Sequence, residues 1–160
     1  MSKKELRRSQ ELWEQGLLPN GKYGYGHIDT TCPSNERRRI AIKNVLTTLP
    51  EEYFARFKEA MKDAAWFVPW KGLWGKAAEF PQKRVIIFLT PVLEFAEDWV
   101  IESLVVHEIL HVILGHKLTD CTKAENDCQE NEVTEVAAQL GYPDPTAELT
   151  KLFNTFKWCL

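Results

Sequence analysis

The sequence predicts an α+β fold: a small twisted β-sheet packed against helices, one of them buried on every side. Three observations predict it. Residues 84–89 read RVIIFL, an apolar, β-branched run of strand length. Residues 99–114 are apolar around almost the whole helical circumference, so a helix there has to be buried. Around these two segments, stretches bounded by proline and glycine repeat apolar residues at helical spacing.

The elements follow in order. Residues 5–15 have helical spacing, with Leu6, Leu12 and Trp13 apolar. Residues 19–33 are rich in Gly, Pro and Asn and read as a loop. Ser34 is placed to cap a helix over 35–48, and Pro50 to open another over 51–65. Residues 66–82 (WFVPWKGLWGKAAEFPQ) read as two short strands and a turn, and RVIIFL follows. Thr90 and Pro91 open a further helical pattern as cap and first helical residue. The long helix 99–114 ends at Gly115, whose freedom suits a helix stop. A polar loop from His116 to Cys128 leads to an amphipathic helix over 129–140, closed by Gly141, and a last helix covers 146–158.

The 160 residues suffice for one domain with its own core. The expected organisation is an N-terminal helical arm and loop at 1–33 and a main body at 34–160, compact as a whole. Net charge is −3, which argues against general affinity for nucleic acid. Two short basic runs, around Lys3–Arg8 and Arg37–Arg39, read as solvated surface. No signal peptide and no membrane span are expected, so the expected location is the cytoplasm. Four cysteines (Cys32, Cys121, Cys128 and Cys159) are expected to be free thiols, and with no CxxC pair they indicate no structural zinc knuckle.

Residues 105–116 read VVHEILHVILGH. His107 and His111 lie four apart, so a helix puts both imidazoles on one face, one turn apart. Both rings can then reach one ion at the roughly 2.0–2.1 Å of a zinc–nitrogen bond. Glu108 adjoins the first histidine, where a carboxylate can act as general base on a water activated by zinc. Imidazoles on a buried apolar helix are costly unless something satisfies them, and a metal ion does so.

A catalytic zinc takes a third protein ligand, and three residues compete. His116 would point about 140° from His111 if the helix continued, so only a sharp turn at Gly115 brings it back. On the helix over 129–140, Val133, Val136, Ala137 and Leu140 mark the buried stripe. Glu130 falls about 70° from the centre of that stripe and Glu132 about 90° on its other side. Glu130 is favoured, with Glu132 close behind.

At this point HEILHVILGH, followed by ENEVTEVAAQLGYP, resembles the compact gluzincin-type metallopeptidases of the ImmA/IrrE family. The resemblance covers about residues 84–143. It implies a zincin-like fold with body 34–160 as the metallopeptidase domain, Zn²⁺ held by His107, His111 and Glu130, and Glu108 as catalytic base. It further implies hydrolysis of peptide bonds in a protein or peptide substrate. The substrate would add as an extended strand beside RVIIFL or its neighbour, with Trp70 and Trp74 walling the cleft. Val133 and Thr134 replace the Ala-Asp of that family, removing a carboxylate that would orient a ligand histidine; Asp127 and Asp98 are the substitutes considered. Tyr142, His116 and Tyr25 are candidates for stabilising the oxyanion. The alternatives are a non-catalytic metal-binding or protein-interaction module on the same fold, and a zinc amidase acting on cell-wall material.

Overall fold

The computed structural model describes residues 1–19, 33–62, 65–67, 75–80, 84–89, 91–118 and 120–156. Its elements in chain order are α1 (Lys3–Glu14), α2 (Pro33–Thr48), α3 (Glu51–Met61), β1 (Ala65–Phe67), β2 (Gly75–Phe80), β3 (Arg84–Leu89), a 3-10 turn (Pro91–Phe95), α4 (Asp98–Ile113), α5 (Lys123–Gln139) and α6 (Thr146–Phe156).

These elements correct the expected fold class: the body is helical, not an α+β fold framed by a sheet. Helix α4 is apolar on every side and runs through the middle, packed against α2, α3 and α5. Helices α2, α3 and α5 thus cover much of α4, and the short strands β2 and β3 pack on it as well. The buried apolar cluster, among the residues whose side chains are described, comes mostly from helices and their connections, with Leu89 from β3. The strands form a short ladder in the order β1-β3-β2, beside α4. β1 runs parallel to β3, with Ala65 opposite Ile86. β2 runs antiparallel to β3, with Ala77 opposite Ile87.

RVIIFL is β3, as read from the sequence, but it is the central strand, so both its edges are already paired. The two strands expected as neighbours around a turn do not pair with each other; β3 lies between them. The loop over 20–32, including Tyr25 and Cys32, lies outside the described residues. So do Trp70 and Trp74, Thr90 as a cap, and Cys159. The two cysteines that are described, Cys121 and Cys128, are not joined in a disulfide among the described residues.

Helix boundaries differ in instructive ways. Helix α2 begins at Pro33, which puts Ser34 in its first turn rather than at its cap. Helix α3 stops at Met61, four residues early. Helix α5 starts at Lys123, inside the segment read as a loop. Thr122 caps it, accepting from the Glu125 backbone N–H while Glu125 accepts from the Thr122 N–H.

The basic runs serve the fold. The Arg8 guanidinium is buried and donates to the carbonyls of Thr47 and Leu49 and to Glu51. It thus holds the junction of α2 and α3, where the last carbonyls of α2 need donors. Arg37 reaches from α2 to the Glu94 carbonyl and to Asp98 at the start of α4. Phe95 and Phe156 stack with centroids 4.0 Å apart and tie α6 to the 3-10 turn. Among the described residues, no helix is long and apolar enough to cross a membrane.

Candidate metal centre

His107 and His111 sit one turn apart on the α4 face that looks at α5. Their Nε2 atoms are 3.2 Å apart. Glu130, in the second turn of α5, meets both: Oε2 lies 3.0 Å from His107 Nε2 and Oε1 lies 3.2 Å from His111 Nε2. One ligand atom from each side chain lies within 4.8 Å of the other two. Val133 and Ala137 seat the inner stripe of α5 in the core, which turns Glu130, one turn before Val133, toward α4.

The electrostatics follow from that contact. Hydrogen bonds from His107 and His111 hold the Glu130 carboxyl far below the usual carboxylate range. Burial works against a charged His107, but the Glu130 hydrogen bond and the charges of Glu108, Glu130 and Asp144 outweigh it and raise its pKa. In the metal-free cluster the Glu130 carboxylate thus favours a proton on His107.

The donor set fits a divalent cation. Two imidazole nitrogens and a carboxylate are the ligand types of hydrolytic zinc sites. Ligand atoms around a tetrahedral ion with bonds of about 2.0–2.1 Å stand roughly 3.3 Å apart. The two ring nitrogens, 3.2 Å apart, are already close to that spacing, and each meets one oxygen of Glu130, Oε2 for His107 and Oε1 for His111. The side chains open onto a cavity of about 730 Å³ between α4, the start of α5 and the start of α6. Glu108 lies in its wall, 4% exposed, next to His107 in the chain. Lys117, Cys121, Asn126, Gln129, Pro145 and Thr146 line it too. From the sequence Asn126 falls in a loop, because α5 is expected to start six residues later than it does.

The other third-ligand candidates form a second layer. Gly115 adopts φ +70° and ends α4. Its N–H reaches the Val112 carbonyl at 3.1 Å, and the His116 N–H reaches back to the His111 carbonyl at 3.0 Å. Two such bonds make a Schellman motif, which folds the residue after the glycine over the last turn. His116 is thereby brought back to His111: the Nδ1 atoms are 3.0 Å apart and the rings stand edge to face. On its other side, His116 Nε2 lies 2.9 Å from Glu132 Oε2. Neither His116 nor Glu132 belongs to the three-donor cluster.

Asp98 pairs with Arg37 at the far end of α4 and does not orient either histidine. The Tyr142 hydroxyl is 3.3 Å from Thr48 Oγ1, and Tyr142 is not among the residues lining the cavity. Asp144 accepts from the Thr146 N–H at the start of α6 and contributes to the field at His107.

No family model, curated protein or solved structure matches this chain.

Proposed function

We propose that this chain is a metallopeptidase, with a divalent cation held by His107, His111 and Glu130 and Glu108 as general base. The observation that carries the reading is the meeting of three donors from two helices at the floor of an open cavity. The resemblance of HEILHVILGH and ENEVTEVAA to ImmA/IrrE peptidases supports it from the sequence side. Zinc is the metal that a His/His/Glu set favours, with manganese, iron and cobalt as competitors.

Such a cation polarises a carbonyl oxygen and acidifies a water molecule. The chain's own residues do the rest. His107 and His111 turn their Nε2 atoms to the site, and both must be neutral to ligate, so metal uptake releases the extra proton of the cluster. Glu130 supplies the anionic ligand, its two carboxylate oxygens each already meeting one of the rings. Glu108, in the cavity wall, takes the proton of the attacking water and returns it to the leaving amine. The cavity between α4, α5 and α6 is wide enough for a peptide segment.

A second reading is a non-catalytic metal-binding or interaction module. The deep burial of Glu108 favours it, since a base needs access to the water it deprotonates.

The test begins with elemental analysis of protein purified without a chelating tag. Wild type and Glu108→Gln are then incubated with a peptide library. One equivalent of metal in both and cleavage by wild type alone supports the peptidase. Metal in both and cleavage by neither supports the module. Absence of metal after exposure to zinc, manganese and cobalt overturns both readings.

A further inference from the structure

We propose that His116 and Glu132 are a positioning pair that fixes the tautomer and ring orientation of His111. This rests on the metal-centre reading above and extends it to two residues outside the three-donor set.

With a cation on His111 Nε2 and both rings neutral, the hydrogen-bond chain admits one consistent set of protons. If Nε2 of His111 is to bind a cation, it carries no hydrogen, so the hydrogen of the neutral ring sits on Nδ1. That N–H meets Nδ1 of His116 at 3.0 Å. Nδ1 of His116 must then accept, which leaves the His116 hydrogen on Nε2. Nε2 in turn meets Glu132 Oε2 at 2.9 Å, and a carboxylate can only accept. Every ring nitrogen away from the cation is thereby paired, and the ligating lone pair of His111 is the one atom left to face it. Reversing either ring leaves two donors or two acceptors in contact.

The backbone puts the pair in place. In the Schellman motif the residue after the glycine packs on the residue that accepts its N–H, usually through apolar side chains. Here those two residues are His116 and His111, so a packing contact has become a hydrogen bond. Glu132, two residues beyond Glu130 on α5, closes the chain. One helix therefore supplies both the anionic ligand and the anchor of the outer layer. His116 is well enclosed, with 7% of its side chain exposed, so water does not readily replace it as acceptor. The arrangement supplies, through an interposed imidazole, the carboxylate missing at Val133 and Thr134. His107 meets Glu130 directly, its Nε2 3.0 Å from Oε2.

The test measures zinc affinity by competition with a chromophoric chelator, and the visible spectrum of the Co²⁺ form, for wild type and four variants. Glu132→Gln and His116→Ala should each weaken zinc binding about 10- to 100-fold, the range for groups that orient a ligand histidine. Both should also alter the Co²⁺ ligand-field bands. His116→Asn keeps an acceptor near the Nδ1 position and should recover most of the affinity lost in His116→Ala. The double variant Glu132→Gln/His116→Ala should bind no worse than His116→Ala alone, since both act through one ring. A merely structural role would give additive losses and no recovery by asparagine. Circular dichroism of the metal-free variants checks that each is folded; Glu132 is half exposed, so Glu132→Gln keeps the experiment decisive if His116→Ala does not fold. Wild type that binds metal while Glu132→Gln and His116→Ala keep its affinity and spectrum overturns this pair alone. Wild type that binds no metal overturns the centre itself.

Discussion

Helices α1 and α4 end in the same backbone device and use it for opposite purposes. At the end of α1, Gly16 has φ +69°, its N–H meets the Trp13 carbonyl, and the Leu17 N–H returns to the Leu12 carbonyl. At the end of α4, Gly115, Val112, His116 and His111 repeat that pattern. In the first case two buried leucines are folded together, and the gain is apolar area removed from water. In the second, two imidazoles are folded together, and the gain is a defined proton on a ring that faces a cavity. The backbone supplies geometry alone; the side chains it brings together decide whether the result is stability or chemistry.

Crossing the side chains should produce the largest effects. Leu12→Ala deletes a fully buried side chain and should cost about 2–5 kcal/mol in denaturant unfolding while leaving metal stoichiometry unchanged. His111→Ala should remove stoichiometric metal altogether, a larger loss than the roughly 10- to 100-fold of an outer residue. Metal loss in Leu12→Ala, or full metal in His111→Ala, would break the comparison.

The glycines sharpen it. A side chain at positive φ costs about 1–2 kcal/mol. A Cβ at Gly115 meets nothing within 4 Å, so the cost there is backbone strain with no clash. Gly16→Ala and Gly115→Ala should therefore lose similar stability, read by thermal unfolding. Only Gly115→Ala should also weaken zinc binding, because only there does the turn carry a ligand's partner.

The smallest expected effect is pH dependence, present at one helix end and absent at the other. In metal-free protein, the raised His107 contributes stability below its ordinary value of 6.5 and loses it as pH rises through its folded value. The depressed Glu130 contributes above its ordinary 4.5 and loses that as pH falls toward its folded value. The stability difference between wild type and Glu130→Gln should thus be greatest between about pH 4.5 and 6.5. Zinc should invert the upper limb, stabilising more as His107 loses its proton. Leu17→Ala should lower stability by the same amount at every pH.

The histidine pair was legible because helical spacing alone places residues four apart on one face. Glu130 was legible because Val133 and Ala137 fix which side of α5 is buried. The return of His116 was legible only as a condition, a sharp turn at Gly115; the left-handed turn there brings it back to His111, from which it would otherwise diverge. The first turns of α5 were missed because KAENDC carries almost no apolar residue. The Thr122/Glu125 box that starts them was nonetheless present in the letters. The helical body was not legible, because an apolar segment such as α4 demands burial without stating what buries it. The parallel pairing of β1 with β3 depends on contacts between distant segments, which no local pattern encodes.

Arg8 carries a consequence for how the chain comes apart. Its guanidinium fills the place that solvent would occupy beneath the last turn of α2, with its charge answered by Glu51 and its face set against the Phe54 ring. A protease that clipped the chain behind α1 would withdraw that plug and Leu12 in one motion, stripping donors from two carbonyls and opening the apolar interior. The first fourteen residues are thus a keystone rather than a tail, and they should melt with everything else in a single cooperative step.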